Sequence, residues 1–377
     1  MLEIIHESRL NTDRRRGVAL LMVLLIIVAI TILATGFLAH THAELACGSN
    51  TLLRLQMDQL AQSGLDHARG LILHPQDVPS SFWTTPSVAQ QLVEGSRDYY
   101  DVNVVPDTSH YLDYCTYTIQ CEAYRKRPDG QKTGGSCLAA TLRLDPCIAL
   151  EVGALTTIWN GMKVYGDVYS RAGLINNGLI DGDVFATSLG GTGPKTGQHY
   201  LQAPTLAWPP VTASYANLEY PVNIVMGSLP AGTYQPDAIW KSSGSAEITG
   251  TVQIRGMLLV DGDLVIRAAA GDSRLMAAPN LPALYVRGNL DIEDVTRLQI
   301  DGLVVVDQNV RLSAAASNIR VTGGLFVKGI VDPSGAGATV TIVADPMKAA
   351  IVLWEGGQPT QPWSPAAGAF YRSLRRE

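Results

Sequence analysis

Leu258-Leu259-Val260-Asp261-Gly262-Asp263-Leu264-Val265-Ile266 places two short apolar runs on either side of an Asp-Gly-Asp corner. The arrangement recurs at residues 162–169, 179–185, 284–292, 298–306 and 321–327 as apolar–x–(Asp/Arg/Gly)–Gly–(Asp/Asn/Leu)–apolar. In the better stretches the corner glycines fall 14 to 26 residues apart, an irregular repeat near 20. A strand, a tight glycine corner, a second strand and a return one layer higher is what a β-solenoid needs. Short strands with a turn every ~8–12 residues also suit a β-sandwich. The repeated Gly-Asp corner favours a solenoid over residues 151–345. Within it, residues 186–245, with Trp208-Pro209-Pro210 and little alternation, are expected to loop out as an insert. Asp167, Asp183 and Asp263 read as turn residues bonding to their own backbone. Residues 346–377 read as a C-terminal tail.

The chain begins quite differently. Arg14, Arg15, Arg16 and Gly17 stand directly against an uncharged run from Val18 to Ala39. About 22 residues can cross a ~30 Å hydrocarbon core as a helix. The arginines belong on the cytoplasmic side, with everything after His40 outside. Residues 1–17 read as a short polar leader with no fold of its own, and 18–39 as the membrane helix. A one-sided stripe then follows in residues 40–75: Leu53, Met57, Leu60, Gly64, Ala68 and Leu71, at steps of three and four. Arg54, Asp58, Gln62, Asp66 and Arg69 occupy the opposite side, and His74-Pro75 ends the pattern. One helix from Val18 to His74 would be roughly 85 Å long. Its first half faces lipid, and its second half needs a partner surface.

Residues 76–150 are expected to supply that surface as a small antiparallel sheet. A short helix is expected over 87–94 and a strand from Tyr99 to Val105. A hairpin then pairs 115–124 with 137–144 about Asp129-Gly130. Four of the five cysteines lie in this region. Folding about that turn sets Cys121 roughly opposite Cys137, and Cys115 roughly opposite Cys147. Two cross-strand disulfides follow in an oxidising compartment. Reduced core thiols are the other reading, and the absence of a CxxC pair argues against zinc. Cys47 is left odd, as a free or intermolecularly paired thiol.

Composition bounds the rest. Charged residues make up only 16 %, while Gly (36) and Pro (20) are plentiful, which favours a turn-rich extracytoplasmic β protein over a helical bundle. A net charge of −6, with no basic stripe and interleaved aromatics outside the leader, argues against nucleic acid as the main partner. Gly190-Gly191-Thr192-Gly193-Pro194-Lys195-Thr196 resembles a phosphate loop only until Pro194 separates glycine from lysine. Asp261, Asp263, Asp291, Glu293, Asp294 and Asp301 are spaced as corners rather than as a converging catalytic cluster. The solenoid region holds a single histidine, His199. No enzyme, cofactor or metal site is expected.

Arg16-Gly17-Val18-Ala19-Leu20-Leu21 resembles the class III leader of type IV pilins and type II secretion pseudopilins. The resemblance implies cleavage after Gly17 by a prepilin peptidase, leaving Val18 as the first mature residue. The long helix and the small sheet match that family's lollipop shape. The resemblance covers residues 14–75 well and 76–150 loosely, and does not reach the solenoid. Major pilins carry glutamate at the fifth mature position, here Met22. A carboxylate there compensates a neighbour's amine in lipid, where an unpaired charge is expensive. Minor K-type pseudopilins and PilX-like pilus-assembly proteins also lack that acid, and a tip subunit needs one such contact fewer.

The expectation is a non-catalytic minor pilin-like subunit of a type IV pilus or type II secretion filament, serving at the tip or in assembly. It would sit in the bacterial inner membrane with its N-terminus cytoplasmic and its later domains periplasmic or extracellular. Its partners would be other pilin-like subunits, through the N-terminal helix, and the prepilin peptidase. A signal-anchored structural surface solenoid, as in bactofilin-like scaffolds, is the main rival, and a polysaccharide-acting solenoid enzyme the lesser one.

Overall fold

A computed structural model describes residues 4–73, 87–107, 115–201, 207–211, 220–334, 337–355, 358–366 and 369–376. The chain opens with one helix, α1 (Ile4–Leu73). Helix runs through Gly17, so the leader expected to lack structure is helical from Ile4 onward. Leucine, glutamate and arginine are good helix formers, and no proline interrupts them. The side chains of residues 1–18 lie outside the described set, as do Pro75 and the rest of 74–86.

The second half of α1 lies on an antiparallel sheet of β1 (Ser87–Gln90), β2 (Asp98–Pro106), β3 (Thr116–Lys126) and β4 (Lys132–Leu144). The fifth strand is not local. Ala369–Arg376 pairs antiparallel with β4, Ala369 opposite Leu144 and Arg376 opposite Leu138. The last part of the expected C-terminal tail is therefore the closing strand of the first sheet, the earlier part holding a short helix, Pro346–Ala349, and an antiparallel pair, Ile351–Glu355 with Gln358–Trp363. Everything between Leu144 and Ala369 is inserted into that sheet. β1 also replaces the helix expected over 87–94, because pairing with Tyr100 and Val102 overrides local preference.

The insertion is dominated by an 18-stranded sheet. Its strands pair in parallel, each with one that comes later or earlier by about one repeat. Leu284 pairs with Val304, Val304 with Leu325, and Leu290 with Val310. Parallel register stacks like on like. Leu258, Leu284, Val304, Leu325, Leu150 and Val168 form one buried column.

Spatial order differs from chain order. Leu325 pairs with Leu150 and Val340 with Met162, so the last strands of the insertion lie beside its first. The early run ends at His199–Tyr200 beside Val184–Phe185, and the later run begins at Val222–Ile224 beside Ile239 to Lys241. Residues 202–219 connect the two runs. Their described part, residues 207–211, lies on the outer face of the sheet. Trp208 meets Phe326 edge-on at 6.2 Å, and Trp363 Nε1 donates to the Ala207 carbonyl at 2.8 Å. The expected insert over 186–245 is thus corrected. Strands from Ser188–Gly190 to Gly232–Ser242 belong to the β-structure, and the stretch around Trp208-Pro209-Pro210 is the crossover. Alternation was hard to read there because these strands are mostly only two or three residues long.

Candidate functional site: the N-terminal helix and the joint between the two sheets

Residues 19–40 of α1 are exposed, Leu20, Leu33 and Phe37 each at 73 %. This part is long and apolar enough to cross a membrane. Met22, at the position of interest for an acid, is exposed on it. Arg14, Arg15, Arg16, Gly17 and Val18 lie within the helical backbone just before it.

Farther along, the helix changes environment. Met57, Leu60, Ala61, Gly64, Leu65, Ala68 and Ile72 are buried against the sheet. Leu53 and Leu71 are only half-buried. The stripe leaves Gly64 in steps of four, through Ala68 to Ile72, and this turns Leu71 toward the rim. Gly64 is there for space: a Cβ would stand 2.4 Å from Cys121 Sγ and 2.9 Å from Tyr100 Cδ2. Polar contacts fix the register of helix on sheet. Tyr100 Oη meets His67 Nδ1 at 2.9 Å, Ser136 donates to Asp58, and Arg125 donates to both Gln56 and Asp98. The Arg125 guanidinium holds the Asp98 carboxyl below its usual range.

The cysteines do not pair as expected. The hairpin turns at Asp129-Gly130, with Gly130 at φ +84°, but β3 and β4 meet with Cys121 opposite Leu138 and Cys137 opposite Glu122. That offset of one residue sends the two sulfurs to opposite faces. A bulge between Ala123 and Arg125 produces it. Cys115 falls opposite Leu144, whose N–H it accepts, while Cys147 bridges to Ala366. All four are thiols rather than disulfides. Burial pushes the Cys121 thiol up to about 12, which makes it a neutral packing group.

The corner aspartates bond outward to the next layer rather than to their own turn. Asp263 Oδ1 accepts from the Asn289 backbone N at 2.6 Å, Asn289 Oδ1 from Asn309 N at 3.3 Å, and Asn309 Oδ1 from Ile330 N at 3.1 Å. Asp183 Oδ1 does the same for Gln198 N at 2.6 Å. The accompanying glycines are needed for closeness. A Cβ on Gly182 would meet the Gly166 carbonyl oxygen at 2.3 Å, and one on Gly288 would meet Asp263 Oδ1 at 2.2 Å.

Asp167 carries this ladder to the joint with the first sheet. Its Oδ2 accepts from Cys147 N at 2.7 Å, and its Oδ1 from Asp183 N at 2.9 Å and Arg143 of β4 at 3.3 Å. Its side chain is fully buried. Burial pushes its carboxyl up to about 6 against the pull of those donors. Sequence reading missed Arg143 and Asp167 as partners, because 24 residues and a change of sheet separate them. Several of the six acids weighed for catalysis form ion pairs. Glu293 pairs with Arg267 at 2.6 Å, Asp301 with Lys348 at 3.0 Å, and Asp291 with Arg311 at 3.7 Å. Among the described residues, no group of three or more His, Cys, Asp or Glu could hold a metal ion.

No protein-family model matches this chain, and no curated protein matches it. Among solved structures it is similar to an ice-binding protein from an Antarctic biological consortium, with 12 % identity and a TM-score of 0.34. That match covers 53 % of this chain and 88 % of the other. It is also weakly similar to the competence-associated pilin ComZ from Thermus thermophilus, with 10 % identity and a TM-score of 0.29. That match covers 86 % of this chain and 97 % of the other.

Proposed function

We propose that the chain is a non-catalytic minor pilin-like subunit of a type IV pilus or type II secretion filament. It would be anchored in the bacterial inner membrane and used at the tip or in assembly priming. The observation that carries this reading is the two-part character of α1, an exposed apolar half followed by a half buried on an antiparallel sheet. A helix built that way can pack its first half with the helices of other subunits while the second half carries a head. The parallel sheet is read as a β-solenoid, inserted between β4 and Ala369–Arg376 and facing away from the membrane. The Arg14 to Gly17 junction supplies the substrate for a prepilin peptidase, and Arg14–Arg16 keep the N-terminus cytoplasmic. Met22 leaves the helix without the acid that a repeating subunit needs, which favours a tip or accessory place.

Intact mass and N-terminal sequencing of the protein extracted from cells with and without a prepilin peptidase test the reading. Cleavage after Gly17, with Val18 as the new N-terminus and only when the peptidase is present, is the expected result. Persistence of the full-length chain in its presence refutes it.

A further inference from the structure

Gln253, Arg274, Gln299, Arg320, Thr341 and Lys163 are direct cross-strand partners on six neighbouring strands of the parallel sheet. The residues that follow them, Ile254, Leu275, Ile300, Val321, Ile342 and Val164, are all buried. Alternation along each strand therefore points the column outward. Gln253, Arg274 and Lys163 are exposed, and the other three are half-exposed. The column is continuous only because Val340–Ala344, late in the chain, lies beside the early strand Met162–Tyr165.

Its cations differ from others on the sheet. Arg255 pairs with Asp237 at 2.9 Å, Arg297 with Asp272 at 3.0 Å and Lys328 with Asp307 at 2.6 Å. Among the described residues, Lys163, Arg274 and Arg320 form no ion pair, and Arg274 donates to the neutral Gln299 at 3.1 Å. Strands in a sheet lie ~4.8 Å apart, so a cation recurs every ~9.6 Å along a line of ~24 Å. Amide and hydroxyl groups fill the alternate positions.

We propose that this column is a docking surface for a linear acidic polysaccharide. Sugar carboxylates would lie over Arg274, Arg320 and Lys163, and sugar hydroxyls would bond to Gln253, Gln299 and Thr341. Charge density decides against nucleic acid, in which each duplex strand carries a charge every ~3.4 Å and most phosphates would find no cation here. The column also contains no aromatic side chain on which a base could stack. Cleavage after Gly17 plays no part in this surface, so the two proposals stand or fall separately.

The test uses the full chain in detergent micelles and hyaluronan oligosaccharides, which carry one carboxylate per disaccharide. Binding is read by biolayer interferometry at low and physiological salt, beside neutral dextran and oligothymidine. Hyaluronan is expected to bind, and the triple variant Lys163→Gln, Arg274→Gln, Arg320→Gln to bind about tenfold more weakly. Arg255→Gln, on the same sheet but already paired, is expected to bind as the wild type does. Should the triple variant melt early, the single substitutions decide, each expected to weaken binding about twofold. No binding of hyaluronan, equal binding by the triple variant or the folded single variants, an equal loss in Arg255→Gln, or tighter binding of oligothymidine or dextran would each overturn the proposal.

Discussion

Replacing Gly64 with alanine forces a methyl group into the closest contact between α1 and the sheet. The new Cβ would stand 2.4 Å from Cys121 Sγ and 2.9 Å from Tyr100 Cδ2, where ordinary contact lies at ~3.5–4.0 Å. Cys121 is fully buried and Tyr100 is held by His67, so neither can simply swing aside. The helix must lift by about 1 Å, which loosens Met57, Leu60, Ala61 and Leu65 together. Overpacking of this kind costs ~1–3 kcal/mol. Alanine's helical preference over glycine returns ~1 kcal/mol. The expected net loss is about 1 kcal/mol, reaching ~2 kcal/mol if the sheet does not yield. Gly70 lies on the same helix but is exposed, with nothing within 4 Å of its Cβ position. There the same substitution keeps the gain and should stabilise by ~0.5–1 kcal/mol. Urea unfolding in detergent micelles, followed by tyrosine fluorescence, should show the midpoint falling for Gly64→Ala and rising for Gly70→Ala. Adding Cys121→Ala should recover part of the loss, with a coupling of at least ~0.5 kcal/mol. A Gly64→Ala protein as stable as the wild type would refute the close packing on which this reasoning rests.

At the joint, Asp167 has a folded-state pKa of about 6, above its ordinary value. Its ionisation therefore opposes folding: its contribution is fully present below about pH 4 and is lost as pH rises through about 6, by at most ~3 kcal/mol. Asp167→Asn should remove that pH dependence, and parallel urea midpoints at pH 4.5 and 7.5 that shift equally in both proteins would contradict it. Gly288→Ala drives a methyl into Asp263 Oδ1 and backbone, and should cost ~2–3 kcal/mol; hydrogen exchange at Asn289 and its neighbours reads the loss, and unchanged protection argues against it. Deleting residues 369–376 should speed amide exchange along Leu138 to Leu144 while the parallel sheet stays protected; unaltered exchange in β4 would show that the strand is dispensable.

Much of this architecture was legible because its signals are local. The switch from an all-apolar run to a three-and-four stripe marked both halves of α1, and Asp129-Gly130 marked the β3–β4 turn. The Gly-Asp corners were visible too, but their cause lies between layers. Asp263 satisfies the N–H of a residue 26 positions away, and no turn rule contains that distance. The cysteine register failed by one residue because a bulge at Ala123 to Arg125 leaves no mark in composition. The return of Ala369–Arg376 to β4 was illegible for a stronger reason. Its partners are more than 200 residues earlier, and the sequence Tyr-Arg-Ser-Leu-Arg-Arg carries no apolar periodicity to betray a strand.

The entry and exit of the large insertion meet at one place, where Ala369 faces Leu144. The insertion is thus held to the first sheet by the covalent connection after Leu144 and, beside it, by the backbone ladder between Ala369–Arg376 and β4, rather than by one linker alone. A pull that separates the parallel sheet from α1 is shared between that connection and the ladder, so swinging the insertion away from the first sheet requires the ladder to shear along its whole length.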